Sequence, residues 1–189
     1  MKNITVKEIM VPLSGYATVD ENATLMDAVL SLEKAQQEVG KNPYVHRAVL
    51  VLNSKGNVVG KISQMDVLRA LEPKYMEMQG SQSIAHLGFT KSFMKQMFHA
   101  YNLWASPLDD ICRKGCERKV RDFMYKPGEG EYVEEDTSMD EAIHQLVMGH
   151  HQSLLVTKGE TAVGILRLTD VFSAVVEKMK TCAISACAS

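Results

Sequence analysis

Gly60-Lys61-Ile62-Ser63-Gln64-Met65-Asp66 runs straight into Val67, Leu68, Ala70 and Leu71. The pattern returns as Gly164-Ile165-Leu166-Arg167-Leu168-Thr169-Asp170, followed by Val171, Phe172 and Ala174. A β-rich apolar run precedes each glycine, Ala48 to Leu52 in the first copy and Leu154 to Val156 in the second. An apolar-periodic helix follows each aspartate. A strand that turns into a helix leaves N–H groups unpaired at the helix start, where an anion is welcome. An Asp one turn in can accept hydrogen bonds from sugar hydroxyls. A carboxylate there also stabilises a helix by roughly 0.3–1 kcal/mol without any ligand. That simpler role accounts for Asp66 and Asp170 but not for the Gly-x-hydrophobic-Ser that leads into Asp66.

The repetition extends outward from this motif. Val6-Lys7-Glu8-Ile9-Met10 matches Val120-Arg121-Asp122-Phe123-Met124 at a shift of 114 positions. The same shift carries Val19-Asp20-Glu21-Asn22-Ala23-Thr24 onto Val133-Glu134-Glu135-Asp136-Thr137-Ser138. The glycine-to-aspartate stretch matches at 104, so the first copy holds about ten extra residues. They fall around Gln36 to Tyr44, where Gly40-Lys41-Asn42-Pro43 reads as a loop. One unit, with strand and helix in the same order, is written twice.

In these marks the chain resembles the CBS-domain pair, or Bateman module, over roughly residues 3–72 and 119–180. The resemblance implies an α/β (α+β) fold of two tandem β-α-β-β-α repeats packed sheet to sheet about a pseudo-twofold axis. It implies two clefts between the repeats that take adenosine derivatives, and a regulatory rather than catalytic role. By the same resemblance the closing Asp hydrogen-bonds ribose hydroxyls, and the Ser or Thr three residues earlier contacts phosphate. Carried onto this chain, that gives Ser63 and Asp66 in one cleft, and Asp170 with Thr169 in the other. The second motif departs from the pattern, because Arg167 stands where a hydroxyl is usual. Arg is a good phosphate ligand, so it either strengthens binding of a charged ligand or fills the cleft itself. An adenine would lie between strand backbones, with Tyr16, Ala17, Thr18, Ala48 and Val49 as candidate walls from the first copy. Tyr132, Ser153 and Leu154 are the candidates from the second. His46, Arg47 and His151 precede central strands and are candidate phosphate contacts. Such strand residues line a core in any fold, which is the competing reading for each of them.

The bulk properties narrow the class. At 189 residues the chain can bury one large core or two small ones. Its 46% hydrophobic and 23% charged residues are those of an ordinary globular protein. A net charge of −2 supplies no basic field for nucleic acid. No apolar run approaches the ~18–20 residues of a membrane span, and Met1 to Thr5 holds no signal-peptide core. The expected compartment is the cytoplasm, with Cys112, Cys116, Cys182 and Cys187 as thiols. Cys112-x₃-Cys116 places two sulfurs on one helix face, with His99 or His150-His151 as possible completing ligands. The spacing lacks paired CxxC form, so no metal is assigned.

Along the chain, Val6 to Met10 reads as a helical turn, and Ala17 to Val19 as a short strand. Thr24 and Asp27 form a capping-box start for a helix carrying Leu25, Ala28, Val29 and Leu32 to about Glu38, ending at Gly40. His46–Leu52 and Val58–Ile62 flank Asn53 to Asn57 as a hairpin. Residues 1–72 form the first repeat, 73–118 a helical insertion, 119–180 the second repeat and 181–189 a loose tail. In the insertion, Phe93, Met94, Met97, Phe98, Tyr101 and Trp104 share one face of a helix capped by Thr90. Ser106 as cap with Pro107 at the first helical position starts a second helix, and Gly115 stops it. This Met- and aromatic-rich face packs on the module or on a partner subunit, or else serves as a docking surface or lid.

No G-x-S-x-G, P-loop or G-x-G-x-x-G is present, and Cys112 with His99 has no motif behind it, so an enzyme is not expected. Two functions remain. One is a stand-alone sensor of AMP, ADP, ATP or S-adenosylmethionine, with no obligatory cofactor, paired as a homodimer and signalling to a regulated protein. The other is a scaffold with empty clefts that works through the insertion.

Overall fold

The computed structural model describes residues 4–37, 48–78 and 90–187. The first repeat contributes α1 (Val6–Ile9), β1 (Val11–Pro12), β2 (Thr18–Asp20) and α2 (Leu25–Gln37). It continues with β3 (Ala48–Leu52), β4 (Val58–Ser63) and α3 (Gln64–Leu71). The insertion holds α4 (Lys74–Met78), α5 (Lys91–Ala100) and α6 (Leu108–Cys116). The second repeat opens with a 3₁₀ turn at Val120–Asp122 and another at Glu129–Glu131. β5 (Tyr132–Glu134), α7 (Met139–Met148), β6 (Ser153–Lys158), β7 (Thr161–Arg167) and α8 (Leu168–Cys187) follow. The mixed α and β content and the two repeated units are those the sequence announces.

Each repeat builds a small sheet in the same way. β2 lies parallel to β3 and β3 antiparallel to β4, while β5, β6 and β7 repeat the arrangement. Local chemistry sets the joints. The Thr24 amide and hydroxyl both donate to Asp27 Oδ2, at 2.8 and 2.7 Å, which is the capping box read from the sequence. Gly56 closes the β3–β4 hairpin at φ +78°, a backbone state that costs glycine no Cβ clash.

The opening segments cross over. Val11 pairs with Ile165, so β1 joins the sheet of the second repeat. Reciprocally, Lys61 and Tyr125 exchange both backbone hydrogen bonds at 2.9 Å, placing the second repeat's opening against β4. The motif glycines exist for this crossing. A Cβ on Gly164 would meet the Val11 carbonyl oxygen at 2.6 Å and Met10 Sδ at 3.0 Å. On Gly60 it would meet Met124 Sδ at 2.7 Å and the Tyr125 oxygen at 3.0 Å. The cores are exchanged accordingly. Val6 is buried among Val133, Met139, Leu146 and Leu166, whereas Val120 and Phe123 are buried among Leu25, Leu32, Val49 and Ile62. Between the two sheets, Leu50, Leu155, Ile165 and Tyr16 form a third cluster.

Several expectations need correction. Helix α6 begins at Leu108, because Pro107 is extended (ψ 143°) and itself holds the capping position without a side-chain bond from Ser106. Gly115 does not stop that helix, which runs to Cys116; its missing side chain admits Leu71 Cδ2, 2.7 Å from where a Cβ would be. The tail is helical to Cys187, since no Gly or Pro follows Lys180 to end α8. Trp104 leaves the α5 face: the helix ends at Ala100, and Trp104 has φ +55° while its amide donates to Glu72 Oε2 at 2.7 Å. On and after α5, Met97 is half-buried but other apolar residues stay open to solvent among the described residues. Met94 is 50% exposed, and Phe98 and Tyr101 are also exposed. The end of the first repeat's helix beyond Gln37, its loop, His46 and Arg47 lie outside the described residues.

Candidate functional site

Two strand-to-helix junctions, β4–α3 and β7–α8, hold the residues singled out by sequence, and they are not equivalent. At the first, Ser63 caps α3, and its amide and hydroxyl donate to Asp66 Oδ2 at 2.8 and 2.6 Å. Among the described residues, the second oxygen, Oδ1, faces only Arg69 Nη1 at 3.3 Å, and the Arg69 side chain is 42% exposed. Asp66 itself is only 7% exposed. The capping role read as the simpler alternative is thus present, and it occupies one carboxylate oxygen of two.

The first junction also faces residues that sequence reasoning missed. Lys61 Nζ donates to Glu131 Oε2 at 2.6 Å, and Tyr125 donates its hydroxyl to Glu131 Oε1 at 2.5 Å. Lys61 lies over the Tyr125 ring, 5.1 Å from its centre. Burial pushes the Glu131 carboxyl up, but the Lys61 and Tyr125 hydrogen bonds and the Lys61 charge outweigh it and hold it below its ordinary value. The hydrogen bond to Glu131, with burial and the charges of Glu131 and Asp66, pushes Tyr125 up to about 12. The repeat itself carried the signal. Lys61, Tyr125 and Glu131 are charged or polar where the other copy has Ile165, Val11 and Ala17.

At the second junction Arg167 is buried, 7% exposed, and turned onto Asp170. Its Nε donates to Oδ2 and its Nη2 to Oδ1, both at 2.5 Å. This is the two-pronged pairing that guanidinium geometry favours. Tyr16 is close enough to feel both charges. Burial pushes its hydroxyl up to about 12, with Arg167 opposing and Asp170 adding to the shift.

The remaining candidates are placed as follows. Ala17 and Thr18 offer carbonyls already accepting from Leu50 N and Ser31 Oγ. Ala48 begins β3 opposite Ser63, and Ser153 begins β6 opposite Arg167, so each stands at its junction. Val49 and Leu154 are both fully buried, in the cores beneath the helices. Tyr132 is exposed, with its carbonyl held by Gln145 Nε2 at 2.8 Å. The His151 ring lies where a Cβ on Gly149 would be, 2.0 Å from Nε2. The Thr169 carbonyl accepts from Ser173 Oγ. Cys112 and Cys116 are free thiols on α6.

The CBS-domain profile matches residues 6–73 and 120–177. The chain belongs to the CBS-domain family. No curated protein matches it in sequence. Its CBS pair is similar to the crystal structure of CBSX2 in complex with AMP, at 17% identity and TM-score 0.59, covering 94% of this chain and 99% of that one. It is also similar to a CBS-domain protein from Bacillus anthracis, at 17% identity and TM-score 0.62, covering 94% and 96%. A third likeness is the CBS domain of a bacterial CNNM/CorC family Mg²⁺ transporter in complex with ATP, at 16% identity and TM-score 0.56, covering 93% and 89%. These identities speak to the fold. Among the described residues, no helix is long and apolar enough to cross a membrane.

Proposed function

We propose that this CBS pair is a regulatory module that binds an adenosine-containing ligand, AMP, ADP, ATP or S-adenosylmethionine, at the β4–α3 junction. The observation that carries the reading is Asp66: a buried carboxylate one turn into a helix, whose Oδ1 takes, among the described residues, only a long contact from half-buried Arg69. A ribose diol can donate to that oxygen once Arg69 swings into solvent, and the positive end of the α3 dipole favours an anionic group. The relatives in complex with AMP and ATP support this chemistry. CBS domains are generally regulatory, and we assign no catalysis.

Thermal unfolding against AMP, ADP, ATP, S-adenosylmethionine and a guanine nucleotide tests the reading. At about 100 times its dissociation constant a ligand stabilises by roughly 2.7 kcal/mol. For a chain of this size that is a rise of roughly 5–11 °C in melting temperature. An adenine-selective rise that Asp66→Ala removes is the expected outcome. No rise with any of them favours the scaffold reading, for which the specific support is the exposed α5 face of Met94, Phe98 and Tyr101.

The module also pairs as a homodimer in this reading. Leu68 on α3 and Phe172 on α8 occupy equivalent positions in the two repeats, and both are exposed, as are Met65 and Met179. Their burial against a second copy is expected to give a dimer mass by sedimentation at tens of micromolar. A monomer mass there overturns the pairing.

A further inference from the structure

The two clefts differ in what already satisfies the aspartate. At Asp170 both carboxylate oxygens are held at 2.5 Å by donors of one buried side chain, Arg167 Nε and Nη2. A ribose presents two hydroxyl donors to a carboxylate, and this guanidinium presents two N–H donors in their place. At Asp66 one oxygen is held by Ser63 and the other has, among the described residues, only the 3.3 Å contact from half-buried Arg69. Moving Arg69 costs less, because its side chain is 42% exposed and its contact with Asp66 is long. Moving Arg167 exposes a buried pair and leaves two charges to be satisfied at once. Tyr16 closes the same place, since it is buried beside Arg167 and Asp170 and among Leu50, Leu155 and Ile165.

We infer that each copy of the chain takes one adenosine ligand, at Asp66, and that Arg167 is the built-in occupant of the other cleft. This rests on the adenosine reading above and assigns that ligand its place and number. Arg167 fills the cleft rather than strengthening it for a charged ligand, because it is buried and its Nε and Nη2 both donate to Asp170. The second junction then works as a fixed brace, and ligand binding acts on the module from one side only.

Isothermal titration of the full chain with AMP, repeated with ATP, reads the stoichiometry. The expected wild-type result is one site per chain, weakened at least about a hundredfold by Asp66→Ala through loss of charged hydrogen bonds. Arg167→Ser, which restores the hydroxyl found at Ser63, is expected to raise the count to two. Arg167→Ser with Asp66→Ala is expected to return it to one. Two sites in the wild type, or one site that survives Asp66→Ala, overturns the inference. So does a folded Arg167→Ser chain that still binds once. If Arg167→Ser does not fold, Arg167→Lys replaces it, keeping the charge while giving up the two-pronged geometry. Heat with neither nucleotide, nor with ADP or S-adenosylmethionine, on either chain overturns the adenosine reading and the stoichiometry with it. In that case a double-mutant cycle of Arg167→Ala and Asp170→Ala, read by melting without nucleotide, separately decides the brace. Strong coupling upholds it, and additivity removes it.

Discussion

Leu50→Ala is expected to destabilise the protein by roughly 2–5 kcal/mol, the range for deleting a fully buried leucine side chain that the surroundings cannot refill. Leu50 is fully buried between the sheets, with Leu155 and Ile165 of the other repeat and Tyr16. A cavity there is lined by both repeats, so neither can collapse onto it without pulling away from its partner. For a chain of this length the loss corresponds to a fall in melting temperature of roughly 4–20 °C. Urea unfolding followed by two probes should still show a single transition, because the opening segments are exchanged between the cores. Two separated transitions, or a loss below about 1 kcal/mol, would mean that the sheets do not share one core.

Lys61→Met has the second large expected effect, and its size depends on pH. Glu131 is 5% exposed and takes Lys61 at 2.6 Å. Removing one partner of a buried pair leaves an uncompensated charge. Because the Lys61 side chain keeps 16% exposure, the low end of that penalty applies, about 3 kcal/mol at pH 7. In the wild type the folded carboxyl lies below its ordinary 4.5, so its contribution is present above that value and fades as pH falls through the folded one. Without Lys61, burial dominates and the folded pKa rises, so the variant gains relative stability as pH falls. Denaturant titrations at pH 7 and pH 4 should therefore show the difference between the chains shrinking at the lower pH. A difference independent of pH would show that Lys61 acts through packing of its stem, not through Glu131.

The sequence determined the repeat unit and much of its local structure. Apolar periodicity around Leu25, Ala28 and Leu32, the Thr24–Asp27 box and the Asn53–Asn57 turn act between residues close in the chain. Their geometry follows from neighbouring residue types, and the structure places them as read. The same holds for Ser63 and Asp66, whose mutual hydrogen bonds span three positions. Where local cues competed with packing, they failed. Gly115 reads as a helix stop, yet it sits inside α6 because Leu71 comes too close for a side chain.

Only the tertiary structure decided which sheet each opening segment joins. Val6-Lys7-Glu8-Ile9-Met10 and its copy are nearly interchangeable as strings, so neither carries a mark of its own destination. The crossing is fixed by close approach of Val11 to Gly164 and of Tyr125 to Gly60. It was also tertiary structure that separated the two clefts. Arg167 in place of a hydroxyl left two outcomes open in the sequence, and only the tertiary structure shows it buried with Nε and Nη2 on Asp170, the observation behind the one we infer. Lys61, Tyr125 and Glu131 lie up to 70 positions apart and become a cluster only where the repeats meet. A buried charge needs its partner in space, and a chain of residues does not say which distant one that is.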